Sequence, residues 1–302
     1  MLKRSLFRKI ILQTFIMLIV FSFSVALFQH LKVYVTIQRF KARATFEQTV
    51  EIMHPSGYKE VRMYHSIPRI YPYELNDVRS VFESDQSSPM LGQQGDIFVT
   101  QESPFPSIFG LHQLMKFYVG GHAAVLDDQN RLFEAVGFPQ PGERIIDMIK
   151  DPSNGTHEFN VGVRRSQTNY WINPQFRRVN DPDHAYYGNY YRDSFSVLRV
   201  KGLNQDIIEA QNDYLNFHLE NRSLYNFLFI FDRKNKFYCT DLVSRSYRYA
   251  FNRVKGDGYD NILNDNGFVT TVNDLINAKD TYLIIYIENK DQIRHIYHLE
   301  DL

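Results

Sequence analysis

Gly121-His122-Ala123-Ala124-Val125-Leu126, then Asp127-Asp128-Gln129-Asn130, then Arg131-Leu132-Phe133-Glu134-Ala135-Val136, is the stretch around which the rest of the chain can be arranged. The two outer pieces read as strands and the polar quartet between them is turn chemistry, so together they predict a β-hairpin. Alternate residues of a strand share a face. A turn with an odd residue count, such as 127–129, pairs residue 126 with 130 and sets His122 opposite Glu134, with Cβ atoms about 5 Å apart. An even turn makes the pair diagonal and poorer. Taken alone, Glu134 reads equally well as a solvated strand carboxylate; Asp127, Asp128 and Gln129 are weaker rivals, because turn residues point into solvent. Gly120 and Gly121 precede His122, and Ala123 and Ala124 follow it. Small residues on both sides let a helix or a substrate come close. A lone strand histidine is more often structural than basic, but near neutral pH an imidazole can take a proton from a thiol and return it to a leaving group.

Upstream, Gly95 to Thr100 reads as a short strand. Ile108, Leu111, Met115 and Tyr118 recur at helical spacing, which predicts a helix over 104–118 ended by Gly120-Gly121. Downstream, residues 137–192 are rich in Pro, Asn, Asp and Tyr and read as loops, with a strand near 157–163. Further strands are expected at 194–200 and 282–287, and helices at 206–219 and 239–251. No internal repeat is visible.

The last of these helices begins at the only cysteine in the chain, so no intramolecular disulfide can form. Leu242, Val243, Ser246, Tyr247, Ala250 and Phe251 lie on one face of that helix. The positive end of a helix dipole favours the reactive thiolate of a cysteine placed there. The opposing reading is a small buried hydrophobe, as most free cysteines are. In a domain outside the cytoplasm a stray thiol is a liability, which weighs toward a working residue.

The first residues describe a membrane element. Lys3, Arg4, Arg8 and Lys9 precede an apolar run over 10–28, interrupted by Gln13, Thr14, Ser22 and Ser24 but by no charge. Such a run reaches about 28 Å as a helix, close to the hydrocarbon thickness of a bilayer. It is long for a signal peptide and lacks a small-x-small cleavage site, so it reads as an uncleaved signal anchor. The tighter basic cluster before it predicts a cytoplasmic tail, 1–9, and a single-pass protein whose bulk lies outside the cytoplasm. Residues 29–90 are expected to be a connecting segment; Leu31, Tyr34, Ile37 and Phe46 suggest a helix running on from the membrane. A compact domain is expected over 91–302.

Composition bounds the rest. Hydrophobic residues make up 44% and charged residues 23% of 302, an ordinary globular balance. Lys+Arg and Asp+Glu both number 34, so the basic bias of a nucleic-acid binder is missing. No His-Glu-x-x-His pair, clustered Cys/His set or phosphate-cradling glycine loop occurs, and no cofactor or metal is expected. Asp181-Pro182-Asp183-His184 reads as a polar loop before it reads as a metal site. Asn154-Gly155-Thr156 and Asn221-Arg222-Ser223 match the glycosylation pattern, which matters only in a eukaryotic secretory pathway.

Three stretches together resemble one superfamily: the strand opened by Gly95-Asp96-Ile97, the His122 strand with Glu134 a dozen residues later, and Phe237-Tyr238-Cys239-Thr240-Asp241-Leu242-Val243 far downstream. They are similar to the permuted NlpC-type, YiiX-like papain-fold cysteine hydrolases, in which the histidine precedes the cysteine, and to the related lecithin retinol acyltransferase group. Thr240-Asp241 stands where Ser-Glu is commoner, and a long Tyr-rich stretch occupies 164–192. The resemblance implies an α+β, circularly permuted papain-like domain whose small antiparallel sheet packs on the Cys239 helix. It implies catalysis by Cys239 as nucleophile, His122 as base and Glu134 as orienting carboxylate, with the Cys239 backbone N–H as oxyanion donor. Tyr238, Tyr186 and Tyr187 are expected at the substrate. The implied substrates divide between cell-wall peptide or related amides and acyl lipids; a non-catalytic, membrane-tethered binding module is the contrasting reading.

Overall fold

The computed structural model describes residues 2–53, 59–83, 90–102, 110–118, 120–139, 142–151, 159–172, 193–229, 235–264, 269–291 and 293–301. The chain opens with a long helix, α1 (Leu2–Lys41), followed by β1 (Thr45–Met53) and β2 (Lys59–Ile67). One helical turn, α2 (Pro72–Leu75), and two short strands, β3 (Phe82–Glu83) and β4 (Met90–Leu91), lead to β5 (Ile97–Thr100). Next come α3 (Leu111–Tyr118), the hairpin of β6 (His122–Leu126) and β7 (Leu132–Val136), α4 (Ile145–Lys150) and β8 (Gly162–Arg165). The second half holds β9 (Ser194–Val200), α5 (Gln205–Glu220), β10 (Leu224–Tyr225), β11 (Lys236–Phe237) and α6 (Cys239–Lys255). It closes with α7 (Val272–Asn277), β12 (Thr281–Lys290) and β13 (Ile293–Leu299).

Nine of these strands form one sheet in the order β1-β2-β13-β12-β9-β5-β6-β7-β8. Its neighbours are antiparallel except β13 and β2, which run parallel. The fold is therefore α+β, but the sheet is large and mixed where a small antiparallel one is expected from sequence. The difference comes from residues 45–67 and 293–299. The helix expected to run past residue 41 stops there, and the stretch beyond it supplies two strands of the sheet instead of a connector. β1 lies at the sheet edge and most of its side chains are exposed. Its alternation is short, with Val50 and Ile52 on one face and Thr49 and Glu51 on the other, and only Val50 and Ile52 are half-buried. β12, deep in the sheet, is the opposite case: Thr281 to Ile285 are all buried, and the continuous apolar run reflects cover on both faces.

α1 divides into two functional lengths. At ~1.5 Å per residue its whole length approaches 60 Å, about twice a bilayer core. The apolar part is long and apolar enough to span a membrane, and its most apolar window has no buried residue. The helix first meets the domain at Phe23, which stacks on Phe117 of α3, and beyond residue 28 it docks more fully. Val33, Ile37 and Phe40 recur on one helical stripe and are buried in the main core. Asn277 of α7 donates through Nδ2 to Gln29 Oε1 at 3.0 Å, and His30 Nε2 lies 2.9 Å from the Phe117 carbonyl of α3.

α6 packs beside α5 and across β6 and β7. The Gly95-Asp96 pair fixes this arrangement. Gly95 adopts φ +85, a conformation that suits glycine, and its carbonyl accepts the Tyr247 hydroxyl from α6. Asp96, fully buried, takes two hydrogen bonds at 2.8 Å from the Arg199 guanidinium of β9. One dipeptide thus ties β5 to both the Cys239 helix and the neighbouring strand.

Candidate active site

β6 and β7 bring His122 and Glu134 together by a register that differs from the expected one. The turn is odd but lies one residue further along. Asp127 N–H bonds the Arg131 carbonyl at 2.8 Å, and Leu126 pairs with Leu132. The loop 128–130 ends on Asn130 at φ +53, the left-handed residue that closes a three-residue hairpin loop. The Asp127 carboxylate secures it, accepting the Gln129 and Arg131 N–H groups at 2.9 and 2.7 Å. Carried along the ladder, this register sets Glu134 opposite Ala124 and diagonal to His122. The two side chains still share a face and are long enough to close the diagonal: His122 Nε2 lies 2.7 Å from Glu134 Oε2.

Glu134 is fully buried and its carboxylate is saturated with partners. Tyr170 donates its hydroxyl to Oε2 at 2.7 Å, and Arg164 Nε donates to Oε1 at 3.0 Å. Arg164 sits directly across the β7–β8 ladder from Glu134. Burial alone would push this carboxyl up, but Arg164, His122 and Tyr170 together hold it down at about 2. Glu134 is therefore an ionised, immobilised carboxylate, neither solvated nor free to turn.

With Nε2 committed to Glu134, Nδ1 is the nitrogen left for the thiol. Cys239 is close enough to His122 for its hydrogen-bonding and charge to act on the ring. Burial alone would lower the imidazole; the hydrogen bonds to Cys239 and Glu134, and the charges of both, raise it to about 9. The ring also lies nearly parallel to buried Trp171, with centroids 6.0 Å apart. The His122 side chain keeps 12% of its surface exposed.

Cys239 is the first residue of α6 and is 8% exposed. The N-cap residue Tyr238 is extended, and no side chain caps the first turn. The helix start is braced from the side: Thr240 Oγ1 donates to the Thr270 carbonyl at 2.5 Å, and Thr270 N–H donates to the Tyr238 hydroxyl at 2.9 Å. Tyr238, expected at the substrate, is instead buried, its ring tilted against Phe229 at 5.1 Å. The whole stretch from Lys236 to Thr240 is buried, so its ring takes a place in the interior just before the helix. Tyr186 and Tyr187 lie outside the described residues.

Gly120 and Gly121 have a specific steric role beside the histidine. A Cβ on Gly121 would stand 1.8 Å from the Glu102 carbonyl oxygen, and one on Gly120, at φ +86, would stand 2.6 Å from Val272. The two glycines let the start of β6 lie against the end of β5 and against α7. Sequence reasoning found the histidine, the cysteine and the carboxylate but missed Arg164, Tyr170 and Tyr225. Tyr225 is near enough to Cys239 that, after burial, the thiol's charge is the next cause raising its phenol. Arg164 is one of two arginines that end β8, and nothing in the local pattern there, or at Tyr170 and Tyr225, marks their partners.

Among the described residues, no group of three or more His, Cys, Asp or Glu side chains could hold a metal ion. The chemistry that this arrangement can perform is that of a thiol at a helix N-terminus beside an imidazole held by a carboxylate. Comparison with known proteins adds no relative: no family model, no curated protein and no solved structure matches the chain.

Proposed function

We propose that the chain is a membrane-anchored cysteine hydrolase of the circularly permuted papain-like kind, working by acyl transfer to water. The observation that carries this reading is His122 bonded to Glu134 with Cys239, the first residue of α6, close enough to act on its ring. Cys239 sulfur attacks the carbonyl carbon of an amide or ester while its proton passes to His122. The oxyanion forms beside the first N–H groups of α6, the positive end of the helix. His122 returns the proton to the leaving amine or alcohol as the thioester forms. Water then attacks the thioester, giving its proton to His122, and the carboxylic acid leaves as the thiol is restored. Glu134 keeps the imidazole in one orientation and balances its positive charge.

The substrate class proposed is a peptide amide of cell-wall type or a related amide, with an acyl lipid as the alternative. The apolar part of α1 supports a single-pass membrane location, and the basic cluster before it supports a domain outside the cytoplasm. The test is incubation of the full chain with a thiol-directed activity probe, followed by mass mapping. Label on Cys239, lost in Cys239→Ala and in His122→Ala, is expected. An unlabelled Cys239 in a folded chain favours the binding-module reading, to which the low exposure of the thiol would then belong.

A further inference from the structure

α3 stands where the apolar part of α1 leaves its lipid-sized span. Phe117 of α3 stacks on Phe23 of α1 with centroids 4.9 Å apart, and also on His30 at 5.3 Å. Phe23 belongs to the uncharged run 10–28, in which it is 51% exposed, and the run around it is exposed as well. α3 is therefore level with the last two turns of that run. Leu114, three residues before Phe117 and so on the same side of α3, is 54% exposed, an expensive orientation for leucine in water. Lys116 is exposed too, and aromatic Phe117 and Tyr118 end the helix. A short helix with one apolar side, continuous with a lipid-exposed surface and carrying a basic residue and aromatics, has the make-up of an interfacial element.

We infer that α3 is a second membrane contact, lying in the headgroup–acyl boundary of the same bilayer that α1 crosses, with Leu114 and Phe117 turned to lipid. The inference rests on the proposed membrane location of α1. It follows from the continuity of the Phe23–Phe117 surface, which leaves an aqueous α3 no room beside a membrane-embedded Phe23. His122 follows Phe117 by five residues, at most about 18 Å of extended chain. Seating α3 in the interface would thus hold the His122 end of β6 close to the membrane surface.

The test uses the single native cysteine. In the full chain carrying Cys239→Ser, which removes the only thiol, a nitroxide is placed in turn at Leu114→Cys, Ile19→Cys and Phe217→Cys. Each is reconstituted in phosphatidylcholine–phosphatidylglycerol vesicles. Power saturation with oxygen and with a water-soluble nickel chelate then reads membrane depth. Phe217, an exposed aromatic on α5 that is 58% exposed, controls for local apolarity. The expected result is a nitroxide at 114 favouring oxygen over the chelate several-fold, between the deep label at 19 and the aqueous label at 217. A label at 114 that behaves like the label at 217, with 19 deep, overturns the inference and leaves the membrane anchor standing. Labels at both 19 and 114 that behave like 217 overturn the anchor and the inference together. Because the variant lacks the thiol, neither outcome depends on the proposed chemistry.

Discussion

At the residue scale the site is decided by Glu134. Its carboxylate serves three donors at once, so removing its charge leaves Arg164 and Tyr170 facing a neutral amide and leaves the His122 imidazolium unbalanced. Glu134→Gln is expected to fold and to lose roughly 10²–10⁴-fold in kcat, less than Cys239→Ala, because an orienting residue contributes less than the nucleophile. Steady-state kinetics of the two variants check this; equal activity in Glu134→Gln and the wild type would move the orienting role elsewhere. The same pair makes stability depend on pH. Glu134 is depressed to about 2, so its contribution is present above the ordinary carboxyl value of 4.5 and is lost as pH falls toward 2. His122 is raised to about 9, so its contribution is complete below the ordinary imidazole value of 6.5 and is lost as pH rises through 9. Thermal melts should show the wild type losing a few degrees of Tm between about pH 6.5 and 9, with a flatter profile in His122→Ala. An identical slope in both would show that His122 gains no such partner. Of this site the sequence revealed the three residues in line, since each belongs to a local pattern. Arg164 and Tyr170 act across the sheet, where only the folded ladder sets their partner.

At the element scale, the hairpin and the Cys239 helix were legible because their signals are local: alternation, a polar turn, a helical apolar face. The exact register was not, because it hangs on a single left-handed residue, Asn130, that a polar quartet does not single out. β1, β2 and β13 were not legible, since an edge strand and its neighbours mix Glu, Gln, His and Arg with apolar residues and owe their order to the sheet they join. The glycines before His122 read as small residues in the sequence, and the fold shows what they make room for. Gly121→Ala puts a methyl group into the Glu102 backbone carbonyl, whose position cannot yield without moving β5. A loss of about 2 kcal/mol or more is expected, with a fall in activity out of proportion to it because β6 carries His122. Chemical denaturation alongside kinetics would check this; a variant of unchanged stability would mean that the β5–β6 junction is looser than it stands here.

At the scale of the whole molecule, the apolar run and the domain share one helix. The stripe of Val33, Ile37 and Phe40 covers the core, so a chain starting at residue 29 should stay folded and soluble, whereas one starting at 45 uncovers that surface. Phe40→Ala in the longer form should cost roughly 3 kcal/mol, read as a drop in Tm; an unchanged Tm would show that the stripe adds nothing to the core. Fusing a reporter at residue 60 addresses the other global expectation, a domain outside the cytoplasm, and activity only on the cytoplasmic side would reverse it. The apolar helix over 10–28 was plain in the sequence because length and absence of charge suffice to mark it. That the same helix then enters the core was not, because docking depends on α7 and the sheet, far away in the chain. The central claim, that His122 activates Cys239 while Glu134 holds it, is tested most directly by the rate of iodoacetamide alkylation at Cys239, followed by mass mapping from pH 6 to 10 in the wild type and in His122→Ala. The account predicts that at pH 7 the wild-type thiol reacts at least about tenfold faster than the thiol in the variant, because only the wild type has an imidazole beside the sulfur to take its proton. Equal rates at Cys239 in the two proteins across that range would contradict it.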